Sequence, residues 1–308
     1  FFHLFSEHEG PYRLCCHAGV QRIDPNHQWN MKDDLPFEFF DSPIMDNVRK
    51  KMLNGEELEE CERCYKIEKH GGNAPRQSYN KRYPFESLFP GKERCLDVKL
   101  SIFGNYCNLS CAMCQPVHSS ERIKEIASLV KDPYFNTNPR EDMKWDWRRG
   151  HKKYQHNYAR FKELMQNCLD NIHRIENLVF STDGEPLLNP RVIEFLDLIP
   201  NKDAEQVNIH FTTNLSDISL LWKIRDKFKK VTLSASCDHV KEKYNWIRKG
   251  ADWDNFAINF MEARSMIINV RPTITVLNIN DLDEIESVFK KELNMDIFKL
   301  PINGHDNY

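Results

Sequence analysis

Ten of the 308 residues are cysteines, and seven of these fall into tight groups. The tightest is Cys107-Asn108-Leu109-Ser110-Cys111-Ala112-Met113-Cys114, a C-x3-C-x2-C run. Three thiolates on one short loop can hold three corners of a cubane iron–sulfur cluster and leave the fourth iron open to a small molecule. Structural zinc prefers four protein ligands, commonly two C-x2-C pairs, so a zinc knuckle here would need Cys95 or His118 to complete it. Cys15-Cys16 and Cys61-Glu62-Arg63-Cys64 make a second pattern of metal-binding type. A chain of this size needs no disulfides to stabilise its core, so such groups point to metal sites in a reducing compartment, and a cytoplasmic location is expected.

The elements that must position these residues change character along the chain. Residues 1–80 hold few long periodic segments, with one short helix at 43–54 carrying Ile44, Val48 and Met52 and stopped by Asn54-Gly55. Pro84, Pro90 and Gly91 mark a linker. From residue 95 strand and helix patterns alternate. Strands are expected at 97–103, 176–181, 207–212, 231–236, 270–277 and 296–300. Helices are expected at 119–130, 158–172, 191–199, 217–228, 254–267 and 281–292. Alternation of this kind predicts an α/β fold with a parallel sheet, here of six strands. The cysteine run directly follows the first of these strands, where parallel α/β barrels place their chemistry. Residues 131–157 read as an insertion, rich in Trp145, Trp147, Arg148, Arg149, Lys152 and Lys153 and expected to be a solvated face with two buried indoles.

Composition narrows the class. Charged residues make up 29%, hydrophobic residues 40%, and the mean hydropathy is −0.65, a globular profile. No apolar run reaches the ~18 residues of a membrane span, so no membrane association is expected. A net charge of −3 argues against a dedicated nucleic-acid binder. The chain opens on Phe1 inside an apolar run, from which sequence upstream of Phe1 is expected.

Cys107 to Cys114, with Met113 before the last cysteine, resembles the C-x3-C-x-Φ-C signature of the radical S-adenosylmethionine (SAM) superfamily. Three further stretches add to the resemblance. Ser181-Thr182-Asp183-Gly184-Glu185-Pro186 resembles the family's G-G-E-P motif, which contacts the amino group of SAM, with Asp183 in place of the first glycine and Gly184 left for close backbone approach. Thr212-Thr213-Asn214 resembles a T-N-G stretch lining the SAM pocket, with Leu215 where glycine is usual. Ser234 and Arg248 resemble a pair that meets the ribose and carboxylate of SAM, a role for which a two-pronged guanidinium is suited. A surface position in Arg248-Lys249-Gly250 is the plainer alternative for that arginine.

The resemblance implies a partial (βα)6 radical SAM barrel at 94–308. It also implies a [4Fe–4S] cluster on Cys107, Cys111 and Cys114, and SAM held near Met113, Asp183, Gly184, Glu185, Thr213, Asn214, Ser234 and Arg248. The activity it implies is reductive cleavage of SAM to a 5′-deoxyadenosyl radical, which abstracts a hydrogen atom from the substrate. An external one-electron donor of flavodoxin or ferredoxin type is implied as partner.

The segment Gly10 to Cys16, then Arg49 to Gly55, then Cys61-x2-Cys64 resembles the SPASM/twitch auxiliary-cluster module, placed here before the core. It implies a small Cys-rich domain at 1–83 holding an auxiliary iron–sulfur cluster. Cys15, Cys61 and Cys64 with a missing or exogenous fourth ligand is the favoured set; Cys16 or Cys95 could also complete it, and zinc on the same residues is the alternative. Cys168 lies on an apolar helical face and reads as core. His17, His70, His118 and His210 show no metal-like spacing and receive no role. Such modules accompany peptide or protein modification, the substrate class expected here, and also oxidation of small alcohols or sugars. A non-catalytic metal-binding scaffold is the rival reading.

Overall fold

The computed structural model describes residues 3–6, 10–15, 18, 27–83, 95–129, 160–181, 183–293 and 295. Cys16, the insertion at 131–157 and the strand expected at 296–300 lie outside the described residues. By contact the chain forms two compact units, one of residues 1–102 with 154–179 and one of 103–153 with 180–308. Seven strands and twelve α-helices are present among the described residues, a mixed α/β architecture whose sheet is mostly parallel. None of the described helices is long and apolar enough to cross a membrane.

In the first unit the strands run in the order β2 (Tyr12–Arg13), β1 (His3–Ser6), β3 (Cys95–Lys99), β4 (Ile175–Phe180). β1 is antiparallel to β2 and parallel to β3, and β3 is parallel to β4. Neither β1 nor β2 is long enough to show a sequence period. Burial supplies what propensity does not, since Leu4 and Tyr12 are fully buried. Two helices follow, α1 (Pro36–Phe40) and α2 (Pro43–Leu53). Ser42 caps α2 by accepting a bond from Met45 N, Pro43 opens it, and the chain leaves at Asn54 and Gly55 as the sequence predicts. Tyr12 stacks on Phe39 at 5.2 Å, and Cys168 of α6 (Phe161–Asp170) is buried as core. α3 (Glu62–Lys69) and α4 (Pro75–Arg82) complete the amino-terminal helices.

The second unit carries β5 (Asn208–Thr213), β6 (Lys230–Ser236) and β7 (Ile267–Arg271), all parallel. Around them lie α5 (Ser120–Leu129), α7 (Pro190–Leu198), α8 (Asn201–Ala204), α9 (Ser219–Ile224), α10 (Lys241–Ile247), α11 (Trp253–Glu262) and α12 (Leu282–Lys291). Along β5, Ile209, Phe211 and Thr213 are buried while His210 and Thr212 on the opposite face are half-buried. This period of two sends apolar side chains one way and polar ones the other. Phe211 stacks on Phe180 at 5.1 Å, and Phe103 packs on Phe195 at 5.4 Å. A second aromatic cluster of Tyr244, Trp253, Phe256, Phe260 and Phe289 fixes α10, α11 and α12. The polar ends of the strands are thereby left as the place where chemistry can be built.

Candidate metal and cofactor site

The cysteine loop has no secondary structure of its own, so its shape depends on what it is bonded to. Two backbone bonds come from the end of α10 and the turn after it. Ala112 N donates to Ile247 O at 2.8 Å, and Ser110 N donates to Lys249 O at 2.9 Å. Gly250 stands close behind, where a Cβ would meet Asn108 O at 3.4 Å. At the other side Ser120 receives and returns bonds, its Oγ accepting from Cys107 N and donating to Cys107 O, both at 3.1 Å. Ser119 Oγ donates to Leu109 O at 2.7 Å. Glu125 on α5 then gathers Ser110 Oγ, Arg122 and, at 2.7 Å, Lys249 Nζ. These donors hold its carboxyl at about 2, Lys249 and Ser110 acting most.

Cys111 is buried, and Cys107, Cys114 and Met113 are half-buried. Burial is the largest influence on the three thiols and pushes them up, Cys107 to about 11 and Cys114 to about 12. Arg248 and Arg122 pull Cys111 and Cys114 the other way, while the thiols repel one another's charge. The trio is therefore close enough to share a ligand, and a metal that binds there must displace protons.

The turn 183–185 is fastened to both sides of this loop. Glu185 N donates to Tyr106 O at 2.7 Å, and Gly184 N donates to His118 O at 2.9 Å. Gly184 takes φ +69, and a Cβ there would lie 2.9 Å from the carbonyl carbons of Asn105 and Tyr106. Close backbone approach therefore requires glycine at this position. Glu185 is 2% exposed. Its Oε1 accepts from Thr213 Oγ1 at 2.7 Å and Leu187 N at 3.1 Å, and its Oε2 accepts from Asn214 N at 2.7 Å. Burial nevertheless raises its carboxyl to about 7, the hydrogen bonds offsetting only part of the effect.

Asn214 reaches back to the cysteine loop, its Nδ2 donating to Asn108 Oδ1 at 3.0 Å. Leu215 adopts φ +56, so the left-handed conformation that favours glycine survives the substitution. Ser234 is fully buried and its hydroxyl lies 3.0 Å from His210 Nε2. Thr232 Oγ1 donates to Ile209 O and so accepts from His210 Nδ1, leaving Nε2 to accept from Ser234.

Arg248 is not a surface residue. Its Nε lies 2.7 Å from Asp238 Oδ2, with the two side chains 9% and 0% exposed. Asp238 is itself braced, Oδ1 accepting from Thr273 N at 2.6 Å. Burial works against the guanidinium charge, but Asp238 and the nearby thiols outweigh it and raise the pKa. Neither terminal nitrogen of Arg248 donates to a described residue, which leaves the fork open.

Sequence reasoning missed Glu125 and Asp238 and considered His118 only as a fourth zinc ligand. His118 Nδ1 lies 2.6 Å from Asp183 Oδ1, and the acid standing in the motif was the one signal for such a partner. Glu125 is separated from Lys249 by 124 residues, and no local spacing reveals that pair.

In the amino-terminal unit Cys61 is buried in the turn before α3 and Cys64 is buried in its first turn. Burial pushes the Cys61 thiol up to about 12, and Cys15 and Cys64 are the next influences, so these three share one neighbourhood. Cys95 is buried in β3, and the charges acting most on it are Asp97, Arg174, Arg49 and Cys168, none of them a grouped cysteine.

A family model described as the radical SAM superfamily matches residues 101–291, more than half of the chain. None of the curated proteins compared matches it.

Proposed function

The chain belongs to the radical SAM superfamily, and from that premise we propose an enzyme that abstracts hydrogen from a peptide or protein substrate, with a second iron–sulfur centre in its amino-terminal unit. The observation that carries the reading is the loop of three thiols held in place by Ile247, Lys249, Ser119, Ser120 and Glu125, beside an arginine whose two terminal nitrogens have no partner among the described residues. When bound, a [4Fe–4S] cluster reduced by one electron supplies reductive cleavage of SAM to methionine and a hydrogen-abstracting 5′-deoxyadenosyl radical.

The chain's own residues supply binding and orientation. Cys107, Cys111 and Cys114 would hold the cluster once their protons have left. Arg248 would take the methionyl carboxylate on its two open nitrogens while Asp238, in ion-pair contact with its Nε, offsets the buried charge. Gly184 keeps the turn close to Tyr106, and Glu185 ties that turn to Thr213 and Asn214. Ser234, held by His210, would face the ribose. Cys15, Cys61 and Cys64 would hold the auxiliary centre, which would accept the substrate's second electron or anchor the substrate domain. A small electron-transfer protein of flavodoxin or ferredoxin type would supply the first electron.

Oxidation of a small alcohol or sugar is the second reading. The polar face of β5–β7 favours it, because Thr212 Oγ1 and Asn269 Oδ1 are buried there without a hydrogen-bond partner among the described residues. Anaerobic incubation of reconstituted protein with SAM and dithionite tests the proposal. Formation of 5′-deoxyadenosine that is lost in Cys111→Ala is expected; none from a fully loaded wild-type cluster would refute it.

A further inference from the structure

A cavity of about 380 Å³ lies in the amino-terminal unit, lined in part by α3, the helix that carries Cys64. Ligand sites have volumes of roughly 300–1,000 Å³, and this one falls within that range. Its wall continues the stripe of α3 that bears the thiols. Tyr65 stands four residues after Cys61 and Glu68 four after Cys64, the spacing of one helix face. Arg76 on α4 closes the wall. It lies over the Tyr65 ring at 4.9 Å and forks onto both oxygens of Glu68, with Nε donating at 3.0 Å. The charge of Arg76 acts on Cys61, and that of Cys64 acts on Arg76, so the wall stands against the cysteines assigned to the auxiliary centre.

The groups that the wall leaves uncommitted decide what the cavity can hold. Arg76 and Glu68 satisfy each other. Glu57 is 3.6 Å from Lys69, too far for a hydrogen bond, and both are exposed. Glu56 accepts from the Asn54 amide at 3.4 Å and has no cation beside it among the described residues. The lining therefore sets three carboxylates against two cations, and the spare negative charge is that of Glu56. A second anion would be repelled there, whereas an ammonium or guanidinium is matched. Met52 adds an apolar surface, and a Cβ at Gly55 would meet nothing within 4 Å, which leaves room for a hydrocarbon stem. A basic side chain combines these two demands, an apolar stem with a charged head.

We propose that this cavity receives a lysine or arginine side chain of the peptide substrate, its stem against Met52 and Gly55 and its head at Glu56 and Glu57. The inference rests on the reading that the substrate is a peptide, and it adds a sequence preference to that reading. The interlocked Tyr65, Glu68 and Arg76 give the site its shape before the peptide arrives, so little ordering is left to the binding step.

The experiment measures binding by the anaerobically reconstituted chain. Short dansylated peptides, identical except for lysine, norleucine or glutamate at the centre, are titrated by fluorescence anisotropy. The lysine peptide should bind about 3- to 30-fold tighter than the norleucine peptide, the range for two exposed ion pairs, and the glutamate peptide should bind weakest. Glu56→Gln combined with Glu57→Gln should bring the lysine and norleucine peptides within about twofold of each other while iron content stays at the wild-type value. Glu205→Gln combined with Asp226→Asn removes two exposed carboxylates from the other unit and should keep the preference. Met52→Trp, which fills the cavity, should weaken both peptides. The inference is overturned by any of four results: no lysine preference in wild type, a preference that survives in the Glu56 and Glu57 pair, an equal loss in the control pair, or no lysine-peptide binding at millimolar concentration. Wild-type binding of both peptides by Met52→Trp overturns it as well. Each of these leaves the radical SAM reading standing, because formation of 5′-deoxyadenosine decides that reading separately.

Discussion

Replacing Gly184 with alanine tests how tightly the turn 183–185 is pressed against the cysteine loop. Two effects add. Gly184 holds φ +69, and an L-residue in that region costs roughly 1–2 kcal/mol. The new Cβ would also lie 2.9 Å from the carbonyl carbons of Asn105 and Tyr106, closer than real Cβ contacts come. Both neighbours are backbone and cannot swing aside, so a further ~1–3 kcal/mol of overpacking is expected. The total, about 2–5 kcal/mol, is a large part of the ~5–15 kcal/mol that holds a domain together. Gly55 supplies the control, because it has φ +77 but nothing within 4 Å of a Cβ. Urea unfolding of the metal-free protein, followed by circular dichroism, should show Gly184→Ala destabilised clearly more than Gly55→Ala. Iron uptake on reconstitution should fall for Gly184→Ala alone, since Tyr106 precedes the first ligand. Equal loss of stability in the two variants, with full iron uptake in both, would refute the close-approach argument.

Three further outcomes are expected. Glu185 has its carboxyl raised from 4.5 to about 7, so between those values the folded chain keeps a proton that the unfolded chain has lost. Stability should therefore fall as pH rises through that window, by about 3 kcal/mol in all, and Glu185→Gln should flatten the profile measured by urea unfolding from pH 4 to 8. Asp238→Ala strands the buried Arg248 charge and should cost about 3–5 kcal/mol, most of it recovered by adding Arg248→Met; denaturant midpoints check this. Paired Cys61→Ser and Cys64→Ser should lower iron from about eight to about four per reconstituted chain, and an unchanged iron content would remove the auxiliary centre from the proposal.

The barrel half of the fold was legible because its signals are local. Ile209 and Phe211 alternate with His210 and Thr212 within one strand, and Ile285, Val288 and Phe289 repeat along one helix, so period alone gives β5 and α12. β1 and β2 were not legible, because four and two residues show no period and their pairing depends on partners elsewhere in the chain. The cysteine loop announced itself by spacing, and Gly184 and Glu185 by their motif. The supporting bonds did not, since Ala112 meets Ile247 and Ser110 meets Lys249 across more than a hundred residues. Leu215 shows a different limit: its side chain suggests a lost turn, yet the backbone keeps φ +56 because Thr213 Oγ1 accepts from Leu215 N at 3.0 Å. Arg248 was legible as a functional type but not as a buried one, because Asp238 lies ten residues away with no helical spacing to flag it.

The bracing of the cysteine loop has a bearing on how the protein matures. Every strut that shapes the loop is made by the polypeptide itself, from Ser119 and Ser120 on one flank to the carbonyls of Ile247 and Lys249 on the other. Residues that are not ligands therefore set the spacing that iron and sulfide meet, so a change at Ser119, Ser120 or Glu125 should hinder assembly although every cysteine is kept.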